Sequence, residues 1–308
     1  MEKTVLTEGA LALLDTVLKR CPQMTQARLR LRIERVIALI AAEKNLKEAD
    51  TETVKETLRL VMPRSVKGTF ARLEGPDCQS EFRKAMIDMD AYFSLPRLIK
   101  RWPPVPHQPE KSPIETKVLA FCASPRKKGN TDVMVDEALS GAADAGASVE
   151  KVELRRLNYK YCNSCRKCKD ADFKDYCSIK DDMTGLYPKI VAADVIVVGF
   201  PVFTETHCGQ LAAFLDRWDP FFWKKFGPKR GMVIAGWGGP NLDSYDHLIE
   251  HVMFILAIHQ IETVEAISAC RLIGKLRGLD ENREAILLRY PDELKKVHDA
   301  GKALVTGF

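Results

Sequence analysis

The amino-acid sequence predicts an α/β protein, with a doubly wound sheet of five parallel strands preceded by a small all-helical N-terminal domain. Three features support this prediction. Apolar residues recur at helical spacing in the first hundred residues, a proline-rich stretch follows, and short apolar runs then alternate with amphipathic segments. The 308 residues, 46% of them hydrophobic, suffice for one large domain or two ordinary ones. We expect a helical domain at 1–100, a linker at 101–115 and the α/β domain at 116–308.

The N-terminal region carries two apolar stripes of helical period. Thr25 is the expected N-cap of the second helix. Asp50 or Thr51 is the expected N-cap of a third helix, which ends before Pro63 because proline cannot continue it. One more helix is expected at about 81–93. The stripes consist of Leu11, Leu13, Leu14, Val17 and Leu18, and of Leu29, Leu31, Ile33, Val36, Ile37 and Ile40.

Beyond the linker, whose prolines favour an extended connector, five short runs rich in apolar or β-branched residues have the length of strands. They lie at 118–122, 149–154, 195–200, 232–235 and 263–269. Helices are expected at about 131–146, 182–193, 209–225, 243–260 and 291–306. Alternating strands and helices predict a parallel sheet covered on both faces. Five strands with a phosphate-binding loop after the first suggest the flavodoxin-like order 2-1-3-4-5, whose ligand lies beyond the carboxyl ends of the strands.

Charge and hydropathy exclude several classes of protein. The net charge of +5 is spread along the chain, so it does not indicate nucleic-acid binding. The N-terminus lacks a secretory pattern, and the apolar stretches are too short to span a bilayer, so we expect a cytoplasmic protein without a membrane partner. In a reducing compartment, nine cysteines indicate ligands or core residues instead of disulfides.

A phosphate-binding loop is predicted directly after the first strand. Ser124 and Thr131 offer hydroxyl groups, Asn130 an amide and Arg126 a positive charge. A helix that begins near Thr131 adds free backbone N–H groups, so the loop would hold a terminal phosphomonoester. Gly129 is expected to adopt backbone angles that other residues avoid. The loop fits neither the dinucleotide pattern G-x-G-x-x-G nor the Walker pattern, and the alternative is a simple helix cap.

Two further loops, after the third and fourth strands, are expected at the same edge of the sheet. They are placed to enclose a planar ring whose phosphate lies in the Ser124 loop. Phe203 and Trp237 are candidates to pack on that ring, and core packing is the alternative for each. The predicted contact residues of these loops are Pro201, Val202, Phe203, Thr204, Trp237, Gly238 and Gly239.

Four cysteines follow the spacing C-x2-C-x2-C-x8-C within a loop at 157–181. Three closely spaced cysteines with a fourth further on are typical of iron-sulfur ligation. Zinc is the main alternative, although zinc sites normally use two separate C-x2-C pairs. Cysteines without a metal are the second alternative. The predicted metal ligands are Cys162, Cys165, Cys168 and Cys177.

Residues 116–308 resemble the iron-sulfur flavoprotein branch of the NADPH-dependent FMN reductase superfamily. The resemblance is carried by the S-P-R-x-x-G-N-T pattern, the cysteine run, and the segments 179–183, 201–203, 210–211 and 216–217. It implies a flavodoxin-like fold that binds FMN, a [4Fe-4S] cluster on the cysteine loop, and a homodimer or homotetramer in which cluster and flavin of adjoining subunits approach each other. Two features depart from the family pattern: Cys122-Ala123 replaces a Gly-Ser pair, and the gap before Cys177 is longer.

The sequence thus predicts an oxidoreductase that transfers electrons between FMN and an iron-sulfur cluster, with NAD(P)H as substrate or a ferredoxin-like protein as redox partner. Because the cofactors carry the chemistry, no acid-base residue is nominated. Two alternatives remain open. One is an NAD(P)H-dependent FMN or quinone reductase without a cluster, and the other is a non-catalytic redox sensor or electron carrier.

Overall fold

The computed structural model describes residues 5–19, 23–61, 97–224, 226–239, 242–272 and 284–307. The chain divides into two compact units, Met1–Glu81 and Phe82–Phe308. Within the described ranges, no helix combines the length and the apolar character needed to cross a bilayer. The helix predicted at about 81–93 and the stop at Pro63 lie outside the described residues.

The described part of the first unit consists of helices and one short parallel strand pair. Its elements are β1 (Val5–Leu6), α1 (Glu8–Leu18), α2 (Gln23–Glu43), β2 (Glu48–Ala49) and α3 (Thr51–Val61). Asp50 caps α3, because its carboxylate accepts a hydrogen bond from the N–H of Thr53 (2.9 Å). The helices enclose a small apolar core of Ala10, Leu14, Val17, Leu18, Ile33, Ile37, Ala49, Val54 and Leu58.

The helical prediction for this unit is confirmed, with corrections. The predicted N-cap Thr25 is wrong, because α2 begins at Gln23 and Thr25 lies inside the helix. Leu11 and Leu31, which belong to the predicted stripes, are exposed. The strand pair was not predicted, because two residues per strand are too few to show an alternating pattern.

The second unit is built around a mostly parallel sheet. Its strands are β3 (Leu98–Arg101), β4 (Lys117–Cys122), β5 (Ser148–Glu153), β6 (Val195–Phe203), β7 (Thr206–His207), β8 (Lys229–Gly236) and β9 (Ile261–Cys270). They lie in the order β3-β9-β8-β6-β4-β5, and β7 folds back antiparallel on β6. The parallel strands β4, β5, β6, β8 and β9 therefore have the predicted order 2-1-3-4-5.

One edge of the sheet carries a strand that was not predicted. β3 pairs antiparallel with β9. Only Ile99 of β3 is buried, and Lys100 and Arg101 bring the charge that is common on edge strands. Arg101 forms an ion pair with the buried carboxylate of Glu265 on β9. Four residues with one buried side chain give too weak a sequence signal for a strand.

Helices cover both faces of the sheet. They are α4 (Asn130–Asp144), α5 (Met183–Ala192), α6 (Gly209–Asp216), α7 (Pro220–Trp223), α8 (Asp246–Ile258) and α9 (Pro291–Thr306). Alternate residues of β4 contribute to two separate apolar cores, as the pleat of a strand buried on both sides requires. α4 and α9 cross closely at Gly141 and Gly301, where a Cβ on either residue would collide with the backbone of the other helix.

The predicted helix at 209–225 is instead two helices. α6 ends at Asp216, a turn follows, and α7 begins at Pro220. Proline has no N–H group to donate to the carbonyl oxygen four residues earlier, which here belongs to Asp216, but it is well tolerated at the first position of a helix. Pro220 therefore ends one helix and begins the next, and the turn between them brings Arg217 and Asp219 to the cysteine loop.

Candidate functional site

The predicted site residues lie at or just beyond the carboxyl ends of four parallel strands, and Pro201, Val202 and Phe203 are the last residues of β6. The phosphate-binding loop follows β4, the cysteine loop follows β5, and the two remaining loops follow β6 and β8. Because parallel strands end at the same edge of a sheet, these loops share one edge.

The loop between β4 and α4 is held in shape by its own side chains. The Ser124 hydroxyl accepts a hydrogen bond from the N–H of Arg126 (3.2 Å). The buried carboxylate of Asp132 accepts hydrogen bonds from the N–H of Lys128 (2.7 Å) and from Nζ of Lys151 (2.9 Å). Burial acts to raise the pKa of Asp132, but the bonds from Lys151 and Lys128 outweigh it and keep this pKa below its usual range. The loop is therefore preformed at the N-terminus of α4.

The predicted backbone role of Gly129 is wrong. Gly129 has φ −79° and ψ 174°, angles open to any residue, and it is Lys128 that adopts a positive φ of 55°. Glycine is favoured at 129 by lack of space, because a Cβ there would lie 3.2 Å from Cβ of Arg126. A side chain at this position would require Arg126 to move by a few tenths of an ångström.

The side chain of Asn130 connects the loop to two later segments. Its Oδ1 accepts a hydrogen bond from the N–H of Leu287 (3.1 Å), and its Nδ2 donates to the carbonyl oxygen of Leu272 (3.5 Å). These bonds give the amide a structural role. Its predicted role as a phosphate ligand stays a prediction.

A cleft of about 190 Å³ lies at this edge of the sheet, and we call it the phosphate cleft. It brings together ten of the twelve residues predicted to bind the cofactor. The other two, Thr204 and Gly239, do not line it. Gly236 and Leu272 line it but were not predicted, since neither carries a sequence pattern typical of a ligand site. Its walls are Ser124, Arg126, Gly129, Asn130, Thr131, Pro201, Val202, Phe203, Gly236, Trp237, Gly238 and Leu272.

The two aromatic candidates in the cleft have different surroundings. Phe203 is partly exposed, and the guanidinium carbon of Arg126 lies 5.8 Å from the centre of its ring. Trp237 is buried and packs edge-on against Tyr245 at 5.3 Å between ring centres. The hydroxyl of Tyr245 donates to Glu205 (2.9 Å), which connects the loop after β8 to the hairpin after β6. Trp237 is therefore an anchored wall of the cleft, and Phe203 lies beside the phosphate-binding loop.

The four cysteines of the run line a second cavity, of about 300 Å³, which we call the cysteine pocket. Within the described ranges, no three His, Cys, Asp or Glu side chains lie close enough together to hold one metal ion. Ligation by the four cysteines therefore stays a prediction. The pocket is also lined by residues that were not predicted as ligands, namely Asn163, Ser164, Arg166, Lys169, Ser178, Asp216, Arg217, Asp219 and Pro220.

The thiols in the cysteine pocket differ in their surroundings. Cys165 is exposed, and a hydrogen bond with the Ser178 hydroxyl (3.1 Å) lowers its pKa. Cys168 is buried, and burial together with the nearby Asp219 carboxylate raises its pKa to about 12. The Asp219 carboxylate and the burial of Cys168 both disfavour its thiolate form when no metal is bound. Coordination to a metal would offset this cost, because the metal's positive charge favours the deprotonated thiol.

The short helix α6 connects the two cavities. Just before it, the Cys208 thiol donates to the carbonyl oxygen of Ala123, which precedes the phosphate-binding loop. Just after it, Arg217 lines the cysteine pocket. Eight helical residues span about 12 Å, since each residue adds about 1.5 Å. One rigid element thus fixes the two cavities a short distance apart.

The side chains and backbone groups of each cavity suit the chemical group that the cavity was predicted to hold. The phosphate cleft combines a tightly wound loop, the N-terminus of a 15-residue helix and a guanidinium group, as a phosphomonoester requires. The cysteine pocket offers four soft sulfur donors in one cavity, as an iron-sulfur cluster requires.

The chain is similar to known proteins in both sequence and structure. The family described as NADPH-dependent FMN reductase matches residues 116–269, which is half of the chain. An iron-sulfur flavoprotein from Methanosarcina thermophila is 36% identical over 144 residues, covering 46% of this chain and 74% of the relative. An iron-sulfur flavoprotein from Archaeoglobus fulgidus is 32% identical over 130 residues, covering 41% and 57%. Among solved structures, an NAD(P)H:quinone oxidoreductase from Methanothermobacter marburgensis aligns with a TM-score of 0.45 and 16% identity, covering 62% of this chain and 97% of that one.

The chain therefore belongs to the NADPH-dependent FMN reductase family. Within that superfamily it falls in the iron-sulfur flavoprotein branch, as the sequence predicted. This membership makes it a flavin oxidoreductase. The family match, residues 116–269, lies within the second unit.

Proposed function

We propose that this protein transfers electrons between FMN in the phosphate cleft and a [4Fe-4S] cluster in the cysteine pocket. The observation that carries the proposal is that α6 joins the two cavities on one scaffold, with the Ala123 contact at its start and Arg217 just after its end. The bound groups supply the redox chemistry, and the protein positions them and limits their contact with water.

For FMN, the chain supplies a phosphate site and a wall for the ring. The N-terminus of α4 and the guanidinium group of Arg126 attract the phosphate dianion. Trp237 and Phe203 border the cleft in which the ring would lie. Because Tyr245 and Glu205 hold the two loops together, the ring site does not need to be assembled when the cofactor binds.

For the cluster, the chain supplies four thiols and nearby cations. Cys162, Cys165, Cys168 and Cys177 would be the ligands. Three cations, Arg166, Lys169 and Arg217, also line the cysteine pocket. Positive charge beside an anionic cluster stabilises its reduced form and raises its reduction potential.

We further propose that NAD(P)H or a ferredoxin-like protein supplies the electrons, and that the protein acts in the cytoplasm. The four cysteines that line the cysteine pocket form no disulfide, which suits a reducing compartment. A homodimer or homotetramer would bring cluster and flavin of adjoining subunits together, and the exposed aromatic side chains of Phe222 and Trp223 beside the cysteine loop suit such a contact.

Anaerobic purification of the full-length protein tests the proposal. We expect about one FMN and about four iron and four acid-labile sulfide atoms per chain, from the composition of the proposed cofactors. Absorption spectra should show that NAD(P)H or a reduced ferredoxin bleaches both cofactors. A yellow protein without iron would favour the reductase without a cluster. Both cofactors without turnover on any acceptor would favour an electron carrier or sensor, and a colourless protein that binds neither would refute the proposal.

A further inference from the structure

Arg217 fastens both ends of the cysteine loop. Its Nη1 donates to the carbonyl oxygen of Lys160 (2.8 Å), before the first cysteine, and to Oδ2 of Asp181 (2.6 Å), after the last one. Its Nη2 donates to Oδ1 of Asp181 (3.2 Å) and to the carbonyl oxygen of Ile179 (3.4 Å). One guanidinium group thus closes the loop at its base.

The third nitrogen of the guanidinium group, Nε, does not bind the cysteine loop. Nε of Arg217 is buried, and among the described residues no acceptor forms a hydrogen bond with it. The residue is only 1% exposed, so bulk water does not supply the missing acceptor. A buried donor without an acceptor is costly, which indicates that a group absent from the chain itself completes the bond.

The position of Arg217 identifies the class of that group. Arg217 lines the cysteine pocket together with all four cysteines. Among the cations that line it, Arg166 and Lys169 are exposed, whereas Arg217 is buried. Asp181 balances the charge of Arg217, so what Arg217 offers a neighbouring anion is a hydrogen bond from a buried donor, which is stronger than the same bond in water. Thiolate or sulfide sulfur of a cluster is the acceptor that this pocket would provide.

We propose that Arg217 donates its Nε–H to sulfur of the group held by the four cysteines and raises the reduction potential of that group. This inference rests on the proposed function, because it needs a cluster in the cysteine pocket. It adds a residue outside the cysteine run to the set that tunes the centre. The turn between the end of α6 at Asp216 and Pro220 carries the Arg217 side chain to the base of the loop.

The first test is the Arg217→Lys variant of the full-length, anaerobically reconstituted protein. Lysine keeps the charge and can reach Asp181, but it lacks the Nε–H group. We expect unchanged FMN content, a reduction potential shifted to more negative values, and an altered electron paramagnetic resonance spectrum of the reduced protein. Arg166→Lys is the matched control, since Arg166 also lines the pocket. The reduction potential of the Arg166→Lys protein should shift less than that of the Arg217→Lys protein. An Arg217→Lys protein that retains its iron with wild-type potential and spectrum would overturn the inference.

A second measurement decides the matter if Arg217→Lys fails to retain iron. Protein grown with arginine labelled with ¹⁵N at Nε should show magnetic coupling between the label and the reduced centre, in the wild type and equally in Arg166→Lys. Loss of the coupling in Arg166→Lys, or its absence from the wild type, would contradict the role of Arg217. Wild-type protein that binds FMN but no iron would instead remove the proposed cluster, and the inference would fall with it.

Discussion

The phosphate cleft and the cysteine pocket lie on the same edge of the sheet, but they are built in different ways. The cleft is formed at the ends of buried strands and the start of a 15-residue helix, so its shape follows from the fold. The pocket is formed by a loop with only a short 3-10 turn, and it depends on Arg217, which holds the base of the loop. We infer that the shape of a flavin site follows from the sheet itself, whereas a cluster site on a loop needs additional contacts that hold the loop in place.

The largest expected effect comes from removing one sulfur donor. Cys165→Ser should lose most of its iron, because a hydroxyl group is a poor ligand for iron in a sulfur cluster, while its FMN content stays at the wild-type level. Iron and flavin assays on anaerobic protein measure this. Cys270→Ala is the control, since Cys270 lies on β9 outside the run and should keep its iron. If both cofactors disappear together in Cys165→Ser, the two cavities are not independent.

The next effect concerns the fastening of the loop. Asp181→Ala leaves Arg217 buried without its carboxylate, a change that costs about 3–5 kcal/mol of stability. Denaturant unfolding measures the global loss, and hydrogen exchange shows whether residues of the cysteine loop open first. Asp175→Ala is the matched control, because its ion pair with Lys180 is exposed and should contribute little to stability. Equal losses in the two variants would show that the fastening does not matter.

A third prediction concerns acid. Burial acts to raise the pKa of Asp181, but the bonds from Arg217 outweigh it and lower this pKa. Because the pKa is lower in the folded than in the unfolded protein, Asp181 stabilises the fold above its unfolded value of about 3.9. This contribution is lost as the pH falls through the lower folded value. Urea unfolding at neutral pH and near pH 3 should show a smaller acid sensitivity in Asp181→Asn than in the wild type, and equal sensitivity would contradict this account.

The smallest expected effect concerns the cleft. Ser124→Ala removes the hydroxyl group that binds the N–H of Arg126, and loss of one such hydrogen bond costs about 1 kcal/mol. FMN affinity, measured by titration of the apoprotein, should fall about fivefold. Ser178→Ala, which removes the hydroxyl beside Cys165, should leave FMN affinity unchanged. A similar loss of FMN affinity in Ser178→Ala would show that the phosphate cleft and the cysteine pocket are coupled, contrary to our description.

Much of this architecture could be predicted because each feature is local in the sequence. The parallel strands show as apolar runs that alternate with helices, and the phosphate-binding loop after the first strand suggested the order 2-1-3-4-5. Two predictions about local structure were wrong. Pro220 is visible in the sequence and splits one predicted helix into two, whereas the close approach of Arg126 that favours glycine at 129 is not visible there.

The amino-acid sequence by itself determined the parallel strands, the helix after the first of them and the run of four cysteines, because hydrophobic period and residue spacing encode them directly. Only the tertiary structure decided that Leu272 lines the cleft and that Arg217 closes the cysteine loop, since both act on segments far from them in the chain. The tertiary structure likewise decided that the Nε–H group of Arg217 finds no acceptor among the described residues. Whether a donor has a partner depends on what the fold brings around it, and no spacing of residues records that.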